Sequence, residues 1–193
     1  EVNSFIGCAL SFGIAGIAPS FIPWFLGPEF KPSVILTMQL SAAMIPMAVT
    51  SVIQTQYLIP FKREIIYIKS VSLGAVINFL LNSMLIPFYG AVGAVIGTIS
   101  AEVAVCVYQI IRIRDILSLK DLTMKLFPFL ICGALEFSIT YTLNNLNINV
   151  LLRLVIQVIA GGCVYIGSCI IYSVYIKKKY KNFKELVERI QHT

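Results

Sequence analysis

Two carboxylates stand in stretches of sequence that are otherwise apolar. Glu102 lies near the middle of "GAVGAVIGTISAEVAVCVYQII", and Glu136 near the middle of "LFPFLICGALEFSITYTL". A charged side chain in hydrocarbon costs roughly 2.5–3.5 kcal/mol on insertion scales, so each calls for a reason. The chemistry open to such a group is coupling of an ion or proton, contact with a polar substrate, or a hydrogen bond across a helix pair. Asn78 and Asn82 are spaced i, i+4, which places both amides on one helical face as interhelical glue or as a substrate contact. Around Glu102, Thr98 and Gln109 extend a polar stripe. Gly93, Gly97, Ala101 and Ala104 form a small-residue stripe about 120° away, by the helical rotation of roughly 100° per residue. Small residues on one face and polar ones on the next suggest close packing on one side and a cavity on the other.

Other chemistries lack their residues. The sequence contains no GxxxxGK[ST] loop, no HExxH and no GxSxG, and its single histidine, His192, is in the tail. Cys8, Cys106, Cys132, Cys163 and Cys169 all fall in apolar runs with no CxxC pair, so buried free thiols are expected, without a disulfide framework or a metal site. No pair of acidic residues sits on the outer connectors for metal or acid–base work. An enzyme is not expected, and no cofactor.

The elements that carry these groups follow from hydropathy. Hydrophobic residues make up 58% of the chain and charged ones 12%, with a mean hydropathy of +0.87. A soluble domain carries roughly twice that share of charge. About 20 apolar residues cross a bilayer core of about 30 Å. Six windows qualify: 5–26, 34–59, 66–86, 91–111, 126–146 and 151–176. The fold class expected is an all-α integral membrane bundle over residues 1–176, with a basic amphipathic cytoplasmic tail over 177–193. In that tail Phe183, Leu186, Val187 and Ile190 share one helical face. Pro46 should kink the long second span, which also holds Gln39, Gln54 and Gln56. Pro19 and Pro23 should break the end of the first, with Trp24 at the outer interface.

Alternate connectors hold thirteen of the fifteen lysines and arginines; the opposite side has only Lys31 and Arg153. This bias puts both ends of the chain in the cytoplasm. The net charge of +6 then reports topology and attraction to anionic lipid rather than nucleic-acid binding. The first apolar run begins at Phe5 with no charged region before it, as expected of a piece of a longer protein.

The blocks "WFLGPEFKPS", "QTQYLIPFKRE" and "GAVINFLLNSMLIPFYGAVGAVIGTISAEVAV" together resemble the C-terminal half of bacterial polysaccharide (O-antigen or capsule) flippases. These form the Wzx-like branch of the multidrug/oligosaccharidyl-lipid/polysaccharide exporter superfamily. The likeness is close over residues 24–105 and looser over "RLVIQVIAGGCVYIG". It implies one lobe of a two-lobed MATE-like carrier of roughly 12 to 14 helices in the bacterial cytoplasmic membrane. Such a carrier moves undecaprenyl-diphosphate-linked oligosaccharide repeat units outward for capsule or exopolysaccharide biosynthesis. Gln56, Lys62, Asn78, Asn82, Gly90, Gly93 and Glu102 occupy positions that match family motifs, while Glu136 and Arg153 match none. The substrate-binding candidates are therefore Gln56, Lys62, Asn78, Asn82, Glu102 and Arg153, and the ion-coupling candidates Glu102 and Glu136. The implied partners are the lipid-linked oligosaccharide, the missing N-terminal lobe, the lipid bilayer and, as a further candidate, a polysaccharide polymerase. The substrate's anionic head calls for a polar inner cavity with some positive charge. A multidrug exporter of the same superfamily is the first alternative; a membrane enzyme or polymerase of envelope assembly and a purely structural membrane partner are the others.

Overall fold

The computed structural model describes residues 2–115 and 119–191, and among them every regular element is helical. Seven α-helices follow in order: α1 (Val2–Phe25), α2 (Pro32–Ser41), α3 (Met44–Ile53), α4 (Glu64–Tyr89), α5 (Ala91–Arg112), α6 (Leu119–Thr142) and α7 (Val150–Gln191). Six segments are long and apolar enough to cross a membrane, with α2 and α3 together forming the second. The chain is an all-α, multi-pass membrane protein.

The second span is jointed twice, and proline accounts for both joints. Pro46 has no N–H to offer, and its ring crowds the carbonyl of Ala42 four residues back. There the helix tightens, with Ala42 donating to the Gln39 carbonyl at 3.1 Å and Ala43 to Leu40 at 3.0 Å. The sequence places a kink here, and the structure has a full break between α2 and α3. Pro60 exerts the same pressure at the far end. The turn before it, Gln54–Leu58, widens to π geometry, and Ile59 donates to the Gln54 carbonyl at 3.0 Å.

The first span departs from expectation. Pro19 and Pro23 lie inside one continuous helix and do not break it. The turn after α6 braces this stretch: the Asn144 amide donates to the Gly16 carbonyl at 3.0 Å, beside the Ala15 carbonyl that Pro19 leaves free, and the Ser20 hydroxyl donates to the Asn144 side-chain oxygen.

Two packed groups flank the second span. On one side α1 runs parallel to α6 at a fixed offset, with Cys8 near Cys132 and Gly16 against Thr140, and α7 returns antiparallel. On the other, α4 and α5 form an antiparallel hairpin turned on Gly90 alone, whose φ of 56° favours glycine. The small-residue stripe of α5 is the seam of this hairpin: Gly93 meets Leu85, Gly97 meets Asn82, and Ala101 lies over Gly74. Val49, Ile53 and Leu58 tie the second span to Cys106 and Ile113.

α6 begins at Leu119, well before the expected 126, so helix occupies part of the polar stretch between the fourth and fifth spans. α7 continues as one helix to Gln191 through most of the expected tail. The side chains of residues 176–193, and with them the amphipathic face expected of the tail, lie outside the described residues. Cys163 is exposed, unlike the buried Cys8, Cys106 and Cys132.

Candidate functional site

A cavity of about 440 Å³ opens where α3, α4 and α5 diverge. From α3 and the π turn come Met47, Thr50, Ser51 and Gln54. From α4 come Tyr67, Val71, Gly74, Ala75 and Asn78, and from α5 Thr98, Ala101, Glu102 and Val105. Seven of these thirteen residues are polar, in a bundle whose outer faces are apolar. Among the described residues Glu102 is the only acidic or basic one in the lining.

The α4/α5 seam orients the polar groups. Asn82 donates to the Asn78 side-chain oxygen at 2.9 Å, Asn78 reaches the Thr98 hydroxyl at 3.5 Å, and Thr98 donates to the Ala94 carbonyl at 3.0 Å. The two asparagines share a face, and they divide their work. Asn82 is held against Gly97 in the seam, with its own side-chain oxygen unpartnered, while Asn78 fronts the cavity. Toward the basic end of the hairpin, buried Gln109 donates to the Ser70 hydroxyl at 2.8 Å, so this member of the polar stripe is interhelical glue and not cavity wall. Beside the cavity, Asn3 of α1 donates to Ser51 at 3.1 Å.

Among the remaining candidates, Gln56 points outward from the π turn and Lys62 sits on the exposed turn after it, with a φ of 54°. Arg153 lies at the opposite end of the bundle, where its guanidinium donates at 3.2 Å to the carbonyls of Asn144 and Leu146. That arrangement satisfies carbonyls left open at the end of α6. The structure brings Asn78, Asn82 and Glu102 together and leaves Gln56, Lys62 and Arg153 away from the cavity.

Glu136 occupies a second polar site, inside the α1/α6/α7 group. It is 6% exposed, faces Gly13 of α1 and Gly161 of α7, and one carboxylate oxygen has no partner. One turn along, fully buried Gln157 donates to the Thr140 carbonyl at 2.8 Å and leaves its own side-chain oxygen unpartnered. Any side chain larger than glycine at 13 or 161 would displace Glu136 or Thr140, so these glycines form the cradle. No cluster of metal-ligating residues occurs among the described residues.

At the basic end a bidentate ion pair joins the connector after the second span to the connector after the fourth. Arg63 donates to Asp115 at 3.1 and 2.8 Å. The Arg63 hydrogen bond holds the Asp115 carboxyl below the usual carboxylate range. A depressed carboxylate stabilises the fold above its unfolded pKa, and that contribution is lost as pH falls through the folded value. Acidification through that range is therefore expected to lower hydrogen-exchange protection of the amides at 61–63, after correction for intrinsic rates. Asp115→Asn should reproduce the loss at neutral pH; unchanged protection in the variant would show the pair to be idle.

Sequence reasoning did not single out Thr50, Ser51 and Tyr67, nor Gln157 beside Glu136. The spacing of Thr50 and Gln54, one turn apart on a span already rich in glutamine, was the available signal. No protein-family model, curated protein or solved structure matches the chain.

Proposed function

We propose that this chain is one lobe of a bacterial flippase that carries undecaprenyl-diphosphate-linked oligosaccharide across the cytoplasmic membrane. The observation that carries the reading is a polar cavity of disaccharide scale, about 440 Å³, inside an apolar helical bundle. It lies beside a span jointed at Ala42–Ala43 and again at Gln54–Leu58. Discontinuous helices at an intramembrane polar site are the usual parts of a carrier that alternates access. Two of the three motif blocks of the resemblance also meet here, since Gln54 opens "QTQYLIPFKRE" and Asn78 and Glu102 belong to the long block that follows it.

In this reading the end bearing Lys62, Arg63, Arg112 and Arg114 faces the cytoplasm, as the positive-inside bias directs. The positive charge that a diphosphate needs is then at this rim, because the described lining has none. A second lobe completes the path, and Glu136 is the ion- or proton-coupling group. The chain acts as a carrier and not as an enzyme.

Glu102 as the sole charged residue of the described lining also favours a second reading, an exporter of organic cations with the same architecture. Complementation separates the two. The full-length gene is expressed in a bacterium lacking its own capsule flippase, and surface polymer is measured against repeat units trapped inside. Restored polymer with loss of the trapped intermediate is expected. Failure with a panel of repeat units, together with export of small cations, would transfer the protein to the second reading.

A further inference from the structure

We infer that the wall formed by α3, α4 and α5 binds a sugar ring that carries no negative charge, and leaves the diphosphate to the basic rim. This deepens the flippase reading and rests on it. The wall offers two amides, Gln54 and Asn78, with the hydroxyls of Thr50, Ser51 and Thr98 and the carboxylate of Glu102. Amides and a carboxylate accept from sugar hydroxyls, and the amide and hydroxyl donors return bonds to ring and hydroxyl oxygens. Tyr67 adds an aromatic face at the mouth nearest the basic end. Among the described residues the lining holds no cation, so a phosphate or uronate placed here would lose its hydration without a counter-charge. Glu102 would also repel it, and at short range in a low dielectric that repulsion is strong.

The rim supplies the complementary half. Tyr67 is three residues into α4 and Asn78 fourteen, so at about 1.5 Å per residue the cavity extends from about 5 to about 21 Å from the start of that helix. Lys62 lies just outside that start, and Arg112 closes α5 at the same end, its guanidinium 5.5 Å from the Tyr108 ring centre. A head group with its sugar inside and its diphosphate at the rim meets donors and acceptors first and cations second.

The test uses full-length protein in lipid nanodiscs and three probes. These are a polyprenyl diphosphate without sugar, the same lipid bearing a neutral disaccharide, and the same lipid bearing a uronate-containing disaccharide. The neutral glycolipid is expected to bind about tenfold more tightly than the sugar-free lipid and more tightly than the uronate form. Gln54→Ala, whose side chain makes no described hydrogen bond, should remove most of that tenfold gain without changing the Kd of the sugar-free lipid. Glu102→Gln should narrow the gap between the neutral and uronate forms. Lys62→Ala with Arg112→Ala should weaken all three probes in a salt-dependent way. Equal binding of uronate and neutral forms, or equal weakening of the sugar-free lipid by Gln54→Ala, would overturn the assignment while leaving the flippase reading in place. Binding of none of the three probes by the wild-type protein would overturn both.

Discussion

Gly97→Leu is expected to destabilise the protein by about 3 kcal/mol, at the upper end of the overpacking range. A Cβ at Gly97 would meet the Asn82 side chain directly, and a leucine would force α4 and α5 apart at the centre of their seam. The separation also breaks the Asn78–Thr98 bond between the two helices and leaves only the Asn82–Asn78 bond within α4. Gly162→Leu is the control: nothing lies near a Cβ there, so its effect should stay within about 0.5 kcal/mol. Reversible unfolding in detergent micelles or bicelles measures both. Equal losses in the two variants would mean that hairpin packing does not depend on close approach at Gly97.

That seam was legible because its pattern is local. Gly93, Gly97 and Ala101 recur every four residues on one helix, and recurrence at that spacing fixes a face before any partner is known. The six spans were legible for the same reason, since each is a continuous run of apolar residues. The cavity is different. Its wall combines Thr50 and Gln54 with Asn78 and Glu102, and nothing in the spacing within any one helix says which faces will converge. Docking of α3 on α5 through Val49, Ile53 and Cys106 decides that, and the docking follows from tertiary packing.

Proline was misread at one site and understated at another for one physical cause. The break a proline makes depends on how the surrounding turns are held. At Pro19 the Asn144 amide reaches in from the turn after α6 to the neighbouring Gly16 carbonyl, and the helix continues. At Pro46 the backbone resolves the strain by itself, through tight turns at Ala42 and Ala43. Arg153 shows the same limit, because its carbonyl partners at 144 and 146 lie across a turn whose shape no hydropathy pattern encodes.

Glu136→Gln is expected to abolish the dependence of transport on a proton or sodium gradient and to lower gradient-driven flipping by tenfold or more, with the fold retained. The glutamine keeps the shape of the carboxylate between Gly13 and Gly161 and removes only its capacity to carry charge. The unpartnered carboxylate oxygen of Glu136 and the unpartnered side-chain oxygen of Gln157 are both acceptors buried away from the α3/α4/α5 cavity. An acceptor left open in a buried site costs about 1–3 kcal/mol, which a bound proton or small cation would offset. Gly13 of α1 and Gly161 of α7 face it from the neighbouring helices, Thr140 stands one turn along α6 with Gln157 on its carbonyl, and no described ion pair neutralises the carboxylate. In the carrier proposed above, Glu136 would be the carboxylate able to change its charge during a cycle, whereas Arg63 and Asp115 form an ion pair. Glu102→Gln separates the two carboxylates. If Glu102 serves the substrate, that variant shifts apparent affinity for the cargo and leaves gradient dependence intact. Gradient dependence that survives Glu136→Gln and disappears with Glu102→Gln would assign coupling to the cavity and reduce Glu136 to a packing role.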